Sequence, residues 1–306
     1  MSVDQLIVVA AALWGAAAGT LVPRAAYRFS VPPEETWRDR CPQGHPLGGR
    51  LGLARCTTCA GTGSGKDQQD AGHLAPGAAG PSYDGSESES SDGAMNASYG
   101  VTNASYGVTN ASYGVTNASY GATNASYGPS TPLLALATAL VCAALAAATG
   151  TRPELGAWLL LAPVGVLLAV VDFRVQRLPD PLTLPLAAAA LVLLGVAALL
   201  PEHAGDWLTS LLGGLVLGGA YFVLFLISPG GMGFGDVKLA LGLGAMLGWY
   251  GWGSVVLGTF AGFLFGGLYG LALVVARRAG RKTSIPFGPF LIAGAFVGLL
   301  IGAYAA

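Results

Sequence analysis

The sequence predicts an all-α polytopic membrane protein with about eight transmembrane helices and a small zinc-binding cytoplasmic domain. Three observations lead to this prediction. Hydrophobic residues make up 53% of the 306 residues and charged residues only 10%, whereas soluble domains carry about 25% charged residues. The 47 glycines suit closely packed transmembrane helices. Three of the four cysteines lie together in the long polar stretch that separates the first apolar run from the second.

Eight apolar runs are long enough, or nearly long enough, to cross a hydrocarbon core of roughly 30 Å. They lie at 3–22, 133–149, 155–171, 182–200, 208–227, 239–251, 255–276 and 287–305. The run at 239–251 is short and rich in glycine, and it is the weakest of the eight. The first run lacks the basic residues that open a signal peptide, so residues 1–22 are interpreted as a retained membrane helix.

The distribution of lysine and arginine predicts the orientation. If the N-terminus faces outward, Arg152 is the only one of the 15 basic residues that falls in an outer loop. Basic residues accumulate in the cytoplasmic loops of membrane proteins. We therefore expect a multi-pass protein of the inner membrane, surrounded by lipid, with the polar stretch inside the cell and with no nucleic-acid partner.

The polar stretch has two parts of different composition. Residues 23–60 contain tryptophan, arginine and cysteine and are predicted to form a small ordered domain. Residues 61–131 are of low complexity and include five copies of Asn-Ala-Ser-Tyr-Gly. One tyrosine per repeat cannot supply the two apolar seam positions of a coiled coil, so a disordered linker is predicted. The repeats also contain glycosylation sequons, but a cytoplasmic location argues against their use. Residues 132–306 form the predicted seven-helix domain.

Asp172 and Asp236 each stand where an apolar run meets a short polar loop. An ionised carboxylate beside hydrocarbon is costly, so such a residue marks a functional site by default. Either aspartate alone could simply mark the end of a helix. Both lie at the same predicted face of the membrane, however, where two carboxylates could share one proton. That is the apparatus of an aspartyl protease.

The neighbours of both aspartates interrupt regular helix. Gly231, Gly233 and Gly235 precede the second aspartate, and they leave the backbone there free to adopt positive φ and to let another segment approach closely. Pro179 and Pro181 follow the first aspartate and predict a helix break. Non-helical backbone near the membrane is tolerated only where protein or water satisfies its polar groups.

These residues resemble the type IV prepilin leader peptidases, which are membrane aspartyl proteases of the Gly-x-Gly-Asp type. The segments that carry the resemblance are, in order, Asp172 with 178–183, then 233–239, then 285–290. The eight-span layout also agrees, so the likeness covers about residues 1–60 and 132–306.

The resemblance implies that Asp172 and Asp236 are the catalytic residues. It also implies a substrate, a prepilin or pseudopilin whose short basic leader is cut at the cytoplasmic face just before its hydrophobic helix. The ionised carboxylate would activate a water, and the protonated one would donate to the scissile carbonyl oxygen. Bifunctional members also methylate the new N-terminal amine with S-adenosylmethionine. The sequence itself contains no recognisable nucleotide-binding fingerprint for that activity.

Four further residues are candidates for shaping the site or contacting substrate: Gly233, Gly235, Lys238 and Asp180. Asp180 could line the site, but its position after a proline favours a cap on the helix that begins near residue 182. Lys238 could steady the carboxylate pair, or it could anchor its helix at the membrane interface.

A group of candidate metal ligands lies in the predicted ordered domain. Cys41 and His45 form a Cys-x3-His pair, and Cys56 and Cys59 form a Cys-x2-Cys pair. Thiolates and imidazole at these spacings suit tetrahedral zinc, so a zinc site is favoured over free thiols that cluster by chance. A segment this short also needs a bound metal to stabilise its fold. The family resembled here commonly has two Cys-x2-Cys pairs, so His45 is the candidate replacement for a missing cysteine.

Two other classes of function compete with the peptidase. A transporter or channel could use the aspartates to bind a cation or relay protons, but it would be expected to hold them near the bilayer midplane, often with an internal repeat. The sequence places both acids at one face and shows no repeat between halves. A non-catalytic assembly factor on the same fold is the third hypothesis, and the intact motifs argue against it.

Overall fold

The structure is a computed structural model that describes residues 2–32, 35–61, 127–229, 232–276 and 286–306. These residues contain nine α-helices and one isolated β-bridge, between Arg40 and Pro46. The helices are α1 (Val3–Phe29), α2 (Thr57–Gly61), α3 (Thr131–Thr149), α4 (Glu154–Val175), α5 (Asp180–Ala197), α6 (Trp207–Ile227), α7 (Phe234–Gly248), α8 (Trp252–Val275) and α9 (Gly288–Ala305). The chain divides into two compact units, Met1–Ala54 with Gly128–Ala306, and Arg55–Tyr127.

The predicted all-α membrane fold is confirmed for the described part of the chain. Seven helices are long and apolar enough to span a membrane, namely α1, α3, α4, α5, α6, α8 and α9. The eighth predicted run corresponds to α7, which has 15 residues. Eleven of those residues are buried, so this helix lies inside the bundle rather than against lipid.

Glycines bring α7 against α6 with their backbones in contact. A Cβ atom added to Gly213 would lie 2.6 Å from the carbonyl oxygen of Gly244, and one added to Gly248 would lie 2.4 Å from that of Thr209. Small residues at helix–helix contacts permit such close approach. The glycine content noted in the sequence therefore positions the short central helix that carries the second aspartate.

Helix α1 continues past its predicted end at residue 22 and runs through Pro23 to Phe29. The guanidinium of Arg24 holds the following polar segment against this extension. Its Nε donates to the carbonyl oxygen of Leu53 at 3.1 Å, and its Nη1 donates to that of Gly48. Residues 35–54 are thus tied to the end of α1 by side-chain to backbone hydrogen bonds.

Several predictions fall outside the described residues. Most of the predicted linker at 61–131 lies outside them, including four of the five tyrosine repeats, the first three residues of the fifth repeat and all five sequons. The basic residues between 277 and 282, and the first residue of the segment at 285–290, lie outside them too.

Candidate active site

Asp172 lies in the last turn of α4 and is only 4% exposed. The helix ends shortly after it because Gln176 adopts a left-handed conformation with φ of 51°. Oδ2 of Asp172 accepts a hydrogen bond of 3.0 Å from the backbone N–H of Gly288, the first residue of α9. The N–H groups of a first helical turn have no partner within their helix, so this carboxylate satisfies one of them. The start of α9 thereby fixes one carboxylate oxygen of Asp172, although α9 and α4 are distant in sequence.

Asp236 lies in the first turn of α7 and is 7% exposed. Its Oδ2 accepts a hydrogen bond of 3.2 Å from the backbone N–H of Gly233, the residue at the N-cap position. This is the reach-back half of a capping box, with the carboxylate in the place usually taken by glutamate or glutamine. Negative charge at a helix N-terminus is also favoured by the helix dipole. The local sequence therefore holds Asp236 in a defined position.

The structure brings the two aspartates together. Asp172 and Asp236 are close enough for their charges to interact. The residues around them, including Leu178, Val237 and Leu239, belong to the main apolar core. We call this part of the bundle, formed by the last turn of α4 and the first turns of α7 and α9, the aspartate end. It presents two carboxyl groups in a largely dry environment, each with one oxygen fixed by a backbone N–H.

The glycines of the Gly-x-Gly-Asp tetrapeptide allow close approach rather than positive φ. Gly233 has φ of −76°, and neither it nor Gly235 is among the residues with positive φ. The freedom of glycine to adopt positive φ is therefore not used at these two positions. A Cβ atom on Gly235 would lie 2.9 Å from Cβ of Leu178, whereas one on Gly233 would meet nothing nearer than 3.5 Å. Gly235 is thus the position where α7 touches the loop that follows Asp172. The third glycine, Gly231, lies outside the described residues.

Asp180 and Lys238 pair with each other. The distance between Lys238 Nζ and Asp180 Oδ2 is 2.7 Å, and the pair joins α5 to α7. Asp180 does not cap its helix as favoured, because Pro179 occupies the N-cap position and α5 has no side-chain cap hydrogen bond. Lys238 also lies over the ring of Phe234, with Nζ 4.8 Å from the centroid. Lys238 therefore connects α5 to the first turns of α7, beside Asp236.

Sequence reasoning missed two residues of this site. Gly288 lies in the segment at 285–290 that carried a resemblance, but nothing in the sequence indicated its hydrogen bond to Asp172. Tyr221 of α6 is 1% exposed, and it lies near enough to Asp236 for a charge on that carboxylate to act on its phenol. The sequence feature that could have indicated Tyr221 is its polar hydroxyl near the end of the apolar run at 208–227.

The four predicted metal ligands lie together. Cys41, His45, Cys56 and Cys59 each offer one ligand atom, and these atoms are all within 4.8 Å of one another. Sγ of Cys41 is 3.6 Å from Nδ1 of His45, across a turn closed by a 2.9 Å hydrogen bond between their backbones. Tetrahedral coordination with bonds of about 2.0 to 2.3 Å needs donor atoms at about this spacing. The donor set fits zinc.

The fold and the site together define a multi-pass helical membrane protein with a buried pair of aspartates at one end of its bundle. Residues 159–271, which include both aspartates, match the type IV leader peptidase family. The chain belongs to this family, as its relatives also show.

Three relatives illustrate the similarity. The prepilin leader peptidase/N-methyltransferase of Aeromonas hydrophila is 37% identical over 174 residues, which are 56% of this chain and 58% of the relative. The protein of the same name in Escherichia coli is 33% identical over 168 residues, covering 55% of this chain and 71% of the relative. The leader peptidase HopD of Salmonella typhimurium is 32% identical over 142 residues, covering 44% and 86% respectively.

The chain spans about half the length of the Aeromonas relatives that it matches, 48% in Aeromonas salmonicida. No solved structure matches the chain.

Proposed function

We propose that this protein is a membrane aspartyl endopeptidase that removes the leader peptide of type IV prepilins or pseudopilins. The observation that carries the proposal is the meeting of Asp172 and Asp236, both buried and close enough for their charges to interact. Membership of the leader peptidase family supports it, as do the names of the relatives.

Hydrolysis at this pair follows the chemistry of two carboxyl groups that share one proton, because two adjacent carboxylates do not both ionise readily. The ionised group takes a proton from a water, whose oxygen attacks the scissile carbonyl carbon. The protonated group gives its proton to the carbonyl oxygen, and a tetrahedral intermediate forms. When the carbon–nitrogen bond breaks, the leaving amine takes the proton that came from water, and one hydroxyl of the intermediate returns a proton to the other aspartate as the new carboxylic acid forms. Asp172 and Asp236 act as a unit in this scheme.

The backbone hydrogen bonds to the two aspartates support the same chemistry. The N–H groups of Gly288 and Gly233 each fix one carboxylate oxygen. Fixed carboxylates need no rearrangement when the water attacks, which is the main advantage of a preorganised site.

The position of the pair favours a peptidase over the transporter hypothesis. Asp172 is in the last turn of α4 and Asp236 in the first turn of α7. Both therefore lie toward one face of the membrane, where a soluble leader and a membrane-embedded helix would join. Transporter sites lie near the bilayer midplane.

We place the aspartate end at the cytoplasmic face and the N-terminus outside. The distribution of lysine and arginine supports this orientation, since Arg152 is the one basic residue left on the outer side. A basic leader would then meet the enzyme on the side where prepilins are made.

We further propose N-methylation of the new N-terminus as a second activity. It is supported by the names of the Aeromonas hydrophila and Escherichia coli relatives. The amine nitrogen would attack the methyl group of S-adenosylmethionine, releasing S-adenosylhomocysteine and a proton. The Cys/His group would hold structural zinc and stabilise the segment around it. A gain in product mass of one methyl group, dependent on S-adenosylmethionine, tests the activity.

Co-expression with a prepilin tests the peptidase proposal. Asp172→Asn and Asp236→Asn keep the shape of the side chain but remove its ability to accept a proton. Each is expected to abolish leader removal while the protein still inserts. The matched control is Asp206→Asn, because Asp206 caps α6 through a 2.8 Å hydrogen bond from the N–H of Thr209 that asparagine can also accept. Continued processing by both active-site variants would overturn the proposal.

A further inference from the structure

Tyr221 carries a buried hydroxyl that lacks a partner. The residue is 1% exposed, and its Oη has no hydrogen-bond partner among the residues that the structure describes. Buried tyrosine hydroxyls usually have a partner, since an unpaired one is costly. A partner for this group is therefore expected to come from outside the described residues, as a water or as a bound substrate.

The ring of Tyr221 is held by an aromatic cluster that is connected to the active site. Its centroid lies 5.9 Å from that of Phe263 and 6.4 Å from that of Phe287, and those two rings are 5.2 Å apart. Phe287 directly precedes Gly288, whose N–H binds Asp172. The phenol is thus positioned by the same segment that positions the first aspartate.

The second aspartate is also near this hydroxyl, since a charge on the carboxylate of Asp236 acts on the phenol of Tyr221. The donor lies on α6, whereas the aspartates lie on α4 and α7. A peptide bond held between the two carboxyl groups would therefore have a third polar group beside it, contributed by a third helix.

We infer that the hydroxyl of Tyr221 donates a hydrogen bond to the oxygen of the scissile carbonyl as that oxygen gains negative charge. This inference rests on the proposed peptidase function. A preorganised donor in a site with little water stabilises such an oxygen strongly. The phenol keeps its proton throughout, so the proton transfers between water, the aspartates and the leaving amine are unchanged. The scissile carbonyl oxygen becomes the acceptor that the buried hydroxyl lacks only as the carbonyl is attacked, not in the bound, uncleaved substrate.

Tyr221→Phe tests the inference, since it removes only the hydroxyl and keeps the ring that packs on Phe263 and Phe287. We expect kcat for prepilin cleavage by the purified full-length protein to fall by about 10²-fold, the usual effect of losing one such donor. KM should change by less than about threefold, and the melting temperature should not fall, because the hydroxyl makes no hydrogen bond to described residues. Tyr304→Phe, at a site that is 85% exposed, is the matched control with unchanged kcat.

A binding measurement separates a role in the reaction from a role in folding. In a peptide analogue, a secondary alcohol replaces the scissile carbonyl and resembles the tetrahedral intermediate. Tyr221→Phe should weaken binding of this analogue by about tenfold, the value of one hydrogen bond. The same change made in the inactive Asp236→Asn protein should leave binding of the uncleaved substrate peptide unchanged.

Two results would overturn the inference alone. One is a Tyr221→Phe protein with wild-type kcat while both Asp→Asn variants are inactive. The other is a loss of activity that matches the loss of folded protein. If the wild-type protein fails to cleave any prepilin, the proposed function itself fails and the inference fails with it.

Discussion

Gly288 and Asp172 are 116 residues apart in the chain, and the backbone N–H of the glycine donates a 3.0 Å hydrogen bond to Oδ2 of the aspartate. A Cβ atom at position 288 would lie 2.7 Å from the same oxygen. A glycine is needed there because any side chain would displace the carboxylate it binds. The start of α9 is thus part of the site, although it contributes only backbone.

Gly288→Ala should therefore impair catalysis while leaving the fold intact. The added methyl group must push the carboxylate of Asp172 aside, and a misplacement of about 1 Å can cost about 10²-fold in rate. Prepilin cleavage by purified protein measures the effect. The control is Gly219→Ala on α6, where an added Cβ meets nothing within 4 Å. Equal activities of the two variants would contradict the proposed need for glycine at 288.

The two glycines of the Gly-x-Gly-Asp tetrapeptide should differ in their tolerance of alanine. At Gly235 a Cβ would lie 2.9 Å from Cβ of Leu178 and force α7 away from the loop after Asp172, whereas at Gly233 it would make an ordinary contact of 3.5 Å with Asp236. We expect Gly235→Ala to lose most leader cleavage and Gly233→Ala to keep most of it. Comparison of the two in one co-expression assay is internally controlled. The reverse order of activities would refute the close-approach explanation.

The sequence predicted the helices and the aspartate pair because both produce strong local signals. Apolar runs determine helix positions to within a few residues in a membrane protein, and a carboxylate at the end of such a run is rare. Helix α1 was an exception, because Pro23 suggests a helix end although the structure accommodates it within Val3–Phe29.

Other features of the site could not be predicted, since they depend on contacts between segments that are distant in sequence. The hydrogen bond from Gly288 to Asp172 and the placement of Tyr221 beside Asp236 arise only when α4, α6, α7 and α9 pack together. The ion pair of Asp180 with Lys238 also joins two helices. The sequence favoured a local role for Asp180 as a helix cap, but in the structure its carboxylate pairs with Lys238 instead.

Asp180→Asn should have a small effect. The pair with Lys238 is partly exposed, with Asp180 at 61%, and such pairs stabilise by about 1 kcal/mol or less. We expect leader cleavage to stay within about fivefold of wild type, since the aspartate pair is not removed. Cleavage rates measured beside Asp172→Asn provide the comparison. Complete inactivation would show that Asp180 is a third carboxyl group of the reaction.

Cys56→Ser should release zinc from the Cys/His group. A serine hydroxyl does not replace a thiolate ligand at neutral pH, and structural zinc is coupled to folding of its segment. Metal analysis of purified protein should show about one zinc per wild-type chain and a marked loss in the variant. Cys142→Ala is the control, because Cys142 is buried in α3, outside the ligand group. Zinc content that is the same in both variants would exclude the proposed ligand set.

Cross-linking in native membranes tests most directly whether the residues at 172 and 236 lie side by side. Asp172→Cys combined with Asp236→Cys should form an intramolecular cross-link with a short thiol-specific reagent. Each single variant controls for the native cysteines, and Asp172→Cys with Asp206→Cys, at the opposite end of the bundle, controls for distance. We expect efficient cross-linking of the first pair and none of the second. Failure of the first pair to cross-link in correctly inserted protein would show that the two positions do not lie side by side.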